Sequence, residues 1–159
     1  MGRKKPHHNE SVIPKRVPSA GPVVPSLKKS PHSLERRQYG KYHPSFRFSM
    51  LDLQGPYGFE ILKADDALEL AQRLGSTELR TWNEIFASDK ANNHPNQVER
   101  FSKEAKKRLR ELKRDDFDEL HSIRLSGKGR LYGVLREGVF YIIWWDRDHQ
   151  VYPSKKKNT

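Results

Sequence analysis

The sequence has no cysteine. That excludes disulfides, thiolate nucleophiles and cysteine-zinc sites, and it fits a reducing compartment, so a cytoplasmic location is expected. No apolar run approaches the roughly 20 residues that a membrane-spanning helix needs, and no membrane association is expected. The basic residues near Met1 are not followed by an apolar stretch, so the start does not read as a secretory signal. Met1-Gly2 opens like a myristoylation site, but Pro6 stands where Ser or Thr is required. Without a secretory signal, the sequon Asn9-Glu10-Ser11 carries little meaning. There is no P-loop, no Rossmann glycine pattern, no HExxH and no nucleophile elbow. A nucleotide-dependent enzyme or a conventional zinc hydrolase is therefore not indicated, and no cofactor or metal is expected.

What is present is charge, unevenly placed. The 159 residues carry a net charge of +11. Residues 1–43 hold ten Lys/Arg against two acids, and Lys155, Lys156 and Lys157 follow the last apolar residues. The body between these tails is electrically balanced. Basic tails suit a polyanionic partner such as RNA, DNA or an acidic protein; the competing reading is a solubilising extension. Residues 1–43 also contain six prolines and only two apolar pairs, Val12-Ile13 and Val23-Val24. Such a segment buries too little to offset its ordering entropy and reads as disordered. His7-His8 lie within it and read as ordinary polar residues. Three regions are expected: a basic Pro-rich tail over 1–43, one α+β domain over 44–153, and a basic tail over 154–159.

Only 34% of the chain is hydrophobic, so the core must be concentrated, and its densest part is 121–153. Ile123 and Leu125 alternate with polar residues and predict a first strand over 121–125. Ser126-Gly127-Lys128-Gly129 predicts a turn. A second strand is expected over 130–136, with Tyr132 and Val134 on one face and Leu131 and Leu135 on the other. Glu137-Gly138 closes a hairpin. The third strand, 139–146, is apolar on both faces, which places it centrally under helices. Trp144 and Trp145 point to opposite faces.

Upstream, the alternation of Phe46, Phe48 and Met50 predicts a strand over 45–53. A helix is expected over 65–74, capped by Asp65 or Asp66, with Ala67, Leu68, Ala71 and Leu74 on one face and Gly75 ending it. Thr81-Trp82-Asn83-Glu84 has capping-box spacing, and Trp82, Ile85 and Phe86 read as core. Residues 88–97 read as a polar loop with His94 exposed. The longest helix is expected over 98–113, with a narrow stripe of Phe101, Ala105, Leu109 and Leu112. Its outer face carries Lys103, Lys106, Lys107, Arg110, Lys113 and Arg114. That face is either merely solvated or a phosphate-contacting surface. The acidic run Asp115-Asp116-Phe117-Asp118-Glu119 reads as a turn neutralising this helix, with metal binding as the lesser alternative. The predicted fold class is α+β: an N-terminal strand, two or three helices and a three-strand C-terminal meander, the helices packed on a small antiparallel sheet.

Arg, Lys, His and Tyr concentrate on the meander. The set Arg124, Lys128, Arg130, Tyr132, Arg136, Tyr141, Arg147, His149 and Tyr152 could cleave RNA without a metal. Arg and Lys stabilise charge on a phosphorane, His exchanges a proton near neutral pH, and Tyr141 or Tyr152 stacks on a base or orients a proton transfer. The competing reading makes the same residues an ordinary solvent-facing sheet surface, with Asp146, Asp148 and His149 forming a salt-bridged turn.

Leu125-Ser126-Gly127-Lys128 followed by Arg130-Leu131-Tyr132-Gly133 is similar to the "L-G-x-x-R-x-R" entry into the meander of the RelE-type toxin superfamily. That superfamily includes YoeB-like mRNA interferases and ParE-like proteins. Asp148-His149-Gln150-Val151-Tyr152 resembles its closing "G-H-R-x-x-V-Y" strand, although no Gly precedes His149 and Arg147 lies before the histidine. The resemblance covers residues 45–153. It implies a ribosome-dependent endoribonuclease acting on mRNA, or a related toxin, neutralised by an antitoxin that covers the basic surface. Arg124, Lys128, Arg130, His149 and Tyr152 would line its site. The alternative is a non-catalytic nucleic-acid-binding or protein-interaction module that uses the basic tails and the 98–114 helix.

Overall fold

A computed structural model describes residues 38–88 and 93–153. The expected tails lie outside the described residues up to residue 37 and from residue 154 onward. Residues 39–42 belong to the folded body. The Tyr42 and Gly40 carbonyls accept from the Trp82 and Asn83 amides at 3.0 and 2.7 Å, which satisfies donors that a helix start leaves open.

The elements run β1 (Ser45–Arg47), α1 (Ala64–Glu78), α2 (Trp82–Ser88), β2 (His94–Gln97), α3 (Lys103–Glu111), β3 (Glu119–Arg124), β4 (Arg130–Arg136) and β5 (Val139–Asp146). The fold is α+β, as the residue pattern predicts. Its sheet is five-stranded and mixed, in the order β1-β5-β4-β3-β2. The meander β3-β4-β5 is antiparallel, while β1 joins β5 in parallel. β5 is therefore interior, as its two apolar faces require. Glu137 and Gly138 both have positive φ (51° and 77°), the two-residue turn whose twist matches the flanking strands. Gly133 sits at a register shift between β4 and β5. A Cβ there would lie 2.2 Å from the Tyr141 carbonyl oxygen, so only glycine fits.

The two faces of the sheet bury separate cores. One holds Leu70, Trp82, Ile85, Phe86, Ile123, Leu131, Phe140, Ile142 and Trp145 under α1 and α2. The other holds Met50, Tyr57, Phe101, Ala105, Leu109, Tyr132, Ile143 and Trp144 under α3 and the 50–58 loop. Trp144 and Trp145 indeed lie on opposite faces, and both are buried.

The second core closes on Asp52, whose side chain is only 1% exposed. Its carboxylate accepts from Arg108 Nη2 at 2.7 Å and Nε at 2.8 Å, and from Trp144 Nε1 at 3.0 Å. The Gln54 amide adds a fourth bond at 3.2 Å. The Asp52 amide in turn donates to Ile143 of β5 at 2.9 Å. Helix α3, the loop and β5 thus meet at one carboxylate, and this bonding holds the Arg108 guanidinium even more firmly protonated than usual.

Several elements differ from the sequence expectation. The first strand stops at Arg47: Phe46 joins the α1/α2 core and Met50 the α3 core, so the backbone must turn between them, leaving Phe48 54% exposed. Helix α1 runs through Gly75, starts after Lys63 rather than an aspartate cap, and buries Leu70 with Leu74 rather than the Ala67/Leu68/Ala71 face. The helix expected over 98–113 is shorter. Val98–Arg100 is a 3-10 turn, and Ser102 caps α3 by accepting from the Ala105 amide at 3.2 Å. Within the stretch read as a loop, His94–Gln97 forms an edge strand on β3 with His94 half-buried, while residues 89–92 lie outside the described residues. The capping box is present: Thr81 N donates to Glu84 Oε2 at 2.7 Å, and Glu84 N to Thr81 Oγ1 at 3.4 Å.

Removing the Asp52 carboxylate takes two of the four hydrogen bonds from the Arg108 guanidinium and leaves the buried Trp144 indole without its acceptor. Asp52→Ala is expected to lower stability by about 3–5 kcal/mol, read from urea unfolding midpoints. The end of α3 offers the opposite case. Lys113, at φ 54°, donates to the Arg110 carbonyl while Arg114 donates to that of Leu109, both at 2.9 Å, a Schellman ending that favours glycine. Lys113→Gly is expected to raise stability by about 1 kcal/mol in the same assay.

Candidate functional site

The candidate site lies where β4 begins and β5 ends. Arg124, Arg130 and Asp146 occupy one row across β3, β4 and β5, paired Arg124 to Arg130 and Arg130 to Asp146. Alternation puts all three side chains on the face of Tyr132 and Trp144. After β5 the chain turns sharply. The buried Asp146 carboxylate accepts from the amides of Gln150 and Val151, each at 2.8 Å, which curls residues 147–151 and sets His149 at φ 62°. The Val151 carbonyl then accepts from the Ser102 amide at 2.9 Å. The turn is thereby attached to the N-terminal end of the basic helix α3. Tyr152 lies edge-on to Phe101 at 6.2 Å, and the Tyr57 hydroxyl stands 3.4 Å from Ser102 Oγ.

Of the five meander residues that the resemblance places in the site, Arg130 and His149 stand close to Asp146, and Tyr152 packs against the core of the same sheet face. Arg130 is 6% exposed, and its Nη1 donates to the Gly127 and Gly129 carbonyls at 3.2 Å. Its charge sits inside the corner and ties down the 126–129 turn. His149 is half-buried, and its Nδ1 is buried without a hydrogen-bond partner among the described residues. Burial, then the Arg130 charge, lowers its pKa below the ordinary 6.5, with Asp146 opposing. At pH 7 the imidazole is neutral. Tyr152, three residues further on, is half-buried. Arg124 is exposed next to Arg130, with its backbone amide held by Asn93 Oδ1 at 2.8 Å. Lys128 is exposed in the 126–129 turn.

The helix residues divide. Lys103, Lys107, Arg110 and Lys113 are exposed. Lys106 is half-buried, and its Nζ donates to the Glu99 carbonyl at 3.1 Å. Arg114 is half-buried and donates to the Met50 carbonyl, so it serves the fold; burial lowers its pKa. Among the described residues no three His, Asp or Glu side chains are placed to hold a metal, and no helix is long and apolar enough to cross a membrane.

Asp146 has a role that sequence reasoning did not give it: it builds the turn through two backbone amides, while its charge also acts on His149. Burial raises the Asp146 pKa, and the amide bonds oppose that rise. The spacing from Asp146 to Gln150 was a visible signal, an aspartate at a strand end whose side chain reaches amides a few residues on. Tyr132 was legible both as an apolar-face residue and as one of the polar residues of the meander. It lies buried in the corner, its hydroxyl held protonated by burial and by the nearby Asp146 charge.

No protein-family model, curated protein or solved structure matches this chain.

The lowered His149 pKa carries a stability signature. Between the folded value and 6.5 the unfolded chain binds more protons, so this residue makes stability fall as pH drops below about 6.5. Asn tolerates the left-handed backbone and does not titrate. Urea midpoints at neutral and mildly acidic pH should differ more for the wild type than for His149→Asn.

Proposed function

We propose that the chain is an RNA-interacting protein that cleaves RNA without a metal at the Asp146 corner. The observation that carries this reading is the arrival of Arg124, Arg130, His149 and Tyr152 at one end of one sheet face, joined to the basic helix through the Ser102-Val151 bond. With Nδ1 buried, Nε2 is the nitrogen that meets substrate. It takes the proton of a 2′-hydroxyl as the 2′-oxygen attacks phosphorus, the bond to the 5′-oxygen breaks, and water protonates that leaving oxygen. Arg124 and Lys128 face solvent and stabilise the phosphorane charge. Arg130 works from within by holding the 126–129 turn. The resemblance to RelE-type toxins adds ribosome-bound mRNA as substrate and a neutralising antitoxin as partner.

A second reading is favoured by how the buried groups are used. Arg130 is bonded to carbonyls and Asp146 to amides, which is how a structural corner uses its charges. On that reading the exposed Lys103, Lys107, Arg110, Arg124 and Lys128 hold RNA phosphates and no bond is broken.

Induced expression separates the two. Wild type, His149→Asn and Arg124→Ala are followed for growth and for integrity of cellular mRNA. Arrest with mRNA cleavage, relieved in both variants, is the expected result. Normal growth and intact mRNA at high wild-type expression would overturn cleavage. Affinity for RNA that falls steeply with salt would then support binding alone, and absent or salt-insensitive binding would remove that reading as well.

A further inference from the structure

The face of the sheet that carries the candidate site has a second end. There Val134, Arg136, Val139 and Tyr141 are only half-buried, and Arg47 of β1 is exposed. Arg47 and Tyr141 are direct neighbours in the parallel β1-β5 pair, and the Arg47 guanidinium carbon lies 5.7 Å from the centre of the Tyr141 ring. Val134 is the neighbour of Tyr141 on β4. The ring is thus fixed by strands on both sides, and it holds the cation above it.

We propose that Arg47, held over Tyr141, is a stacking platform for an unpaired RNA base. This deepens the RNA reading above and rests on it. A guanidinium is planar, and the exposed Arg47 group has its carbon over the tyrosine ring. A flat base laid on that plane would stack as bases do on aromatic and arginine surfaces. A base inside a duplex has both faces covered, so the ligand is single-stranded. The basic helix leads toward this end. Arg114, just past α3, bonds to the Met50 carbonyl, three residues beyond Arg47. A strand whose phosphates follow Lys103, Lys107 and Arg110 from the His149 corner would arrive near Arg47. Tyr141 lies five residues before Asp146 on β5, a span of roughly 17 Å at strand rise. The platform is therefore separate from the cleavage corner and would bind a different nucleotide of the same strand.

The test is fluorescence anisotropy with a short labelled oligouridylate and its abasic counterpart, both 2′-O-methylated so that no cleavage occurs. The proteins are wild type, Arg47→Lys and Arg47→Gln. Arg47 is exposed, so these variants keep the fold, and thermal unfolding checks that they do. Wild type should bind the base-containing strand more tightly than the abasic one. Arg47→Lys keeps the charge and loses the plane. It should erase that preference, weakening uridylate binding by roughly 5- to 100-fold while leaving abasic binding and the salt slope unchanged. Arg47→Gln should also lower the salt slope by about one. If wild type binds and Arg47→Lys keeps the base preference, the platform is wrong and the RNA reading stands. If wild type binds neither strand, both fall.

Discussion

The structure depends on one buried carboxylate. Asp52 accepts four hydrogen bonds, and three of them come from Arg108 of α3 and Trp144 of β5. A carboxylate taken out of water is costly unless it is paired and fully bonded. Here the geometry is bidentate, and Glu111 at 2.9 Å and the Gln54 carbonyl at 2.8 Å share the Arg108 guanidinium. The result is directional as well as stabilising. An apolar contact would let α3 slide over the sheet; a fork fitted to two oxygens does not. Because α3 carries the basic surface and its first turn adjoins Val151, Asp52 indirectly fixes where those cations stand relative to His149.

The central position of β5 has a similar consequence. A strand buried on both faces and paired on both edges is a rigid base, and the chain leaves it directly into the 147–152 turn. Asp146 is at once the last residue of β5 and the acceptor for the amides that shape the turn. His149 therefore sits only three residues from the best-supported strand in the fold, in a left-handed backbone conformation that those amide bonds maintain. Helix α1 reaches the same turn from the opposite side of the sheet through Asp66, whose carboxylate lies 3.1 Å from Arg147.

The parts of this arrangement that were legible in the sequence are those written in local periodicity. The meander, its Glu137-Gly138 turn, the two-faced third strand, the capping box at Thr81 and the Phe101/Ala105/Leu109/Leu112 stripe all follow from neighbours in the chain. What was not legible is set by distant partners. The strand at His94–Gln97 has no apolar alternation, because it is an edge held by its backbone ladder and by Asn96, whose side chain donates to Ser122 Oγ at 2.9 Å. The parallel pairing of β1 with β5 joins residues nearly a hundred positions apart. Asp52 read as one polar residue in an apolar alternation, and Arg108 as one of many cations on a charged helix. Only the fold distinguishes the arginine that closes a core from the lysines that face water.

The same distinction governs the candidate site. Composition made Arg124, Lys128 and Arg130 look equivalent, yet their surroundings divide them. Arg130 is surrounded by carbonyls and a buried aspartate, so replacing it would unmake the corner before it changed any chemistry, and loss of activity there would say little about catalysis. Arg124, one strand over, is exposed with its backbone amide fixed by Asn93. Its side chain is exposed, so replacing it would leave the core in place. His149 falls between the two: buried enough to be neutral at pH 7, open enough to exchange a proton. A neutral imidazole next to a buried cation suits the abstraction of a proton better than its donation, which is the role that the proposed cleavage would give it.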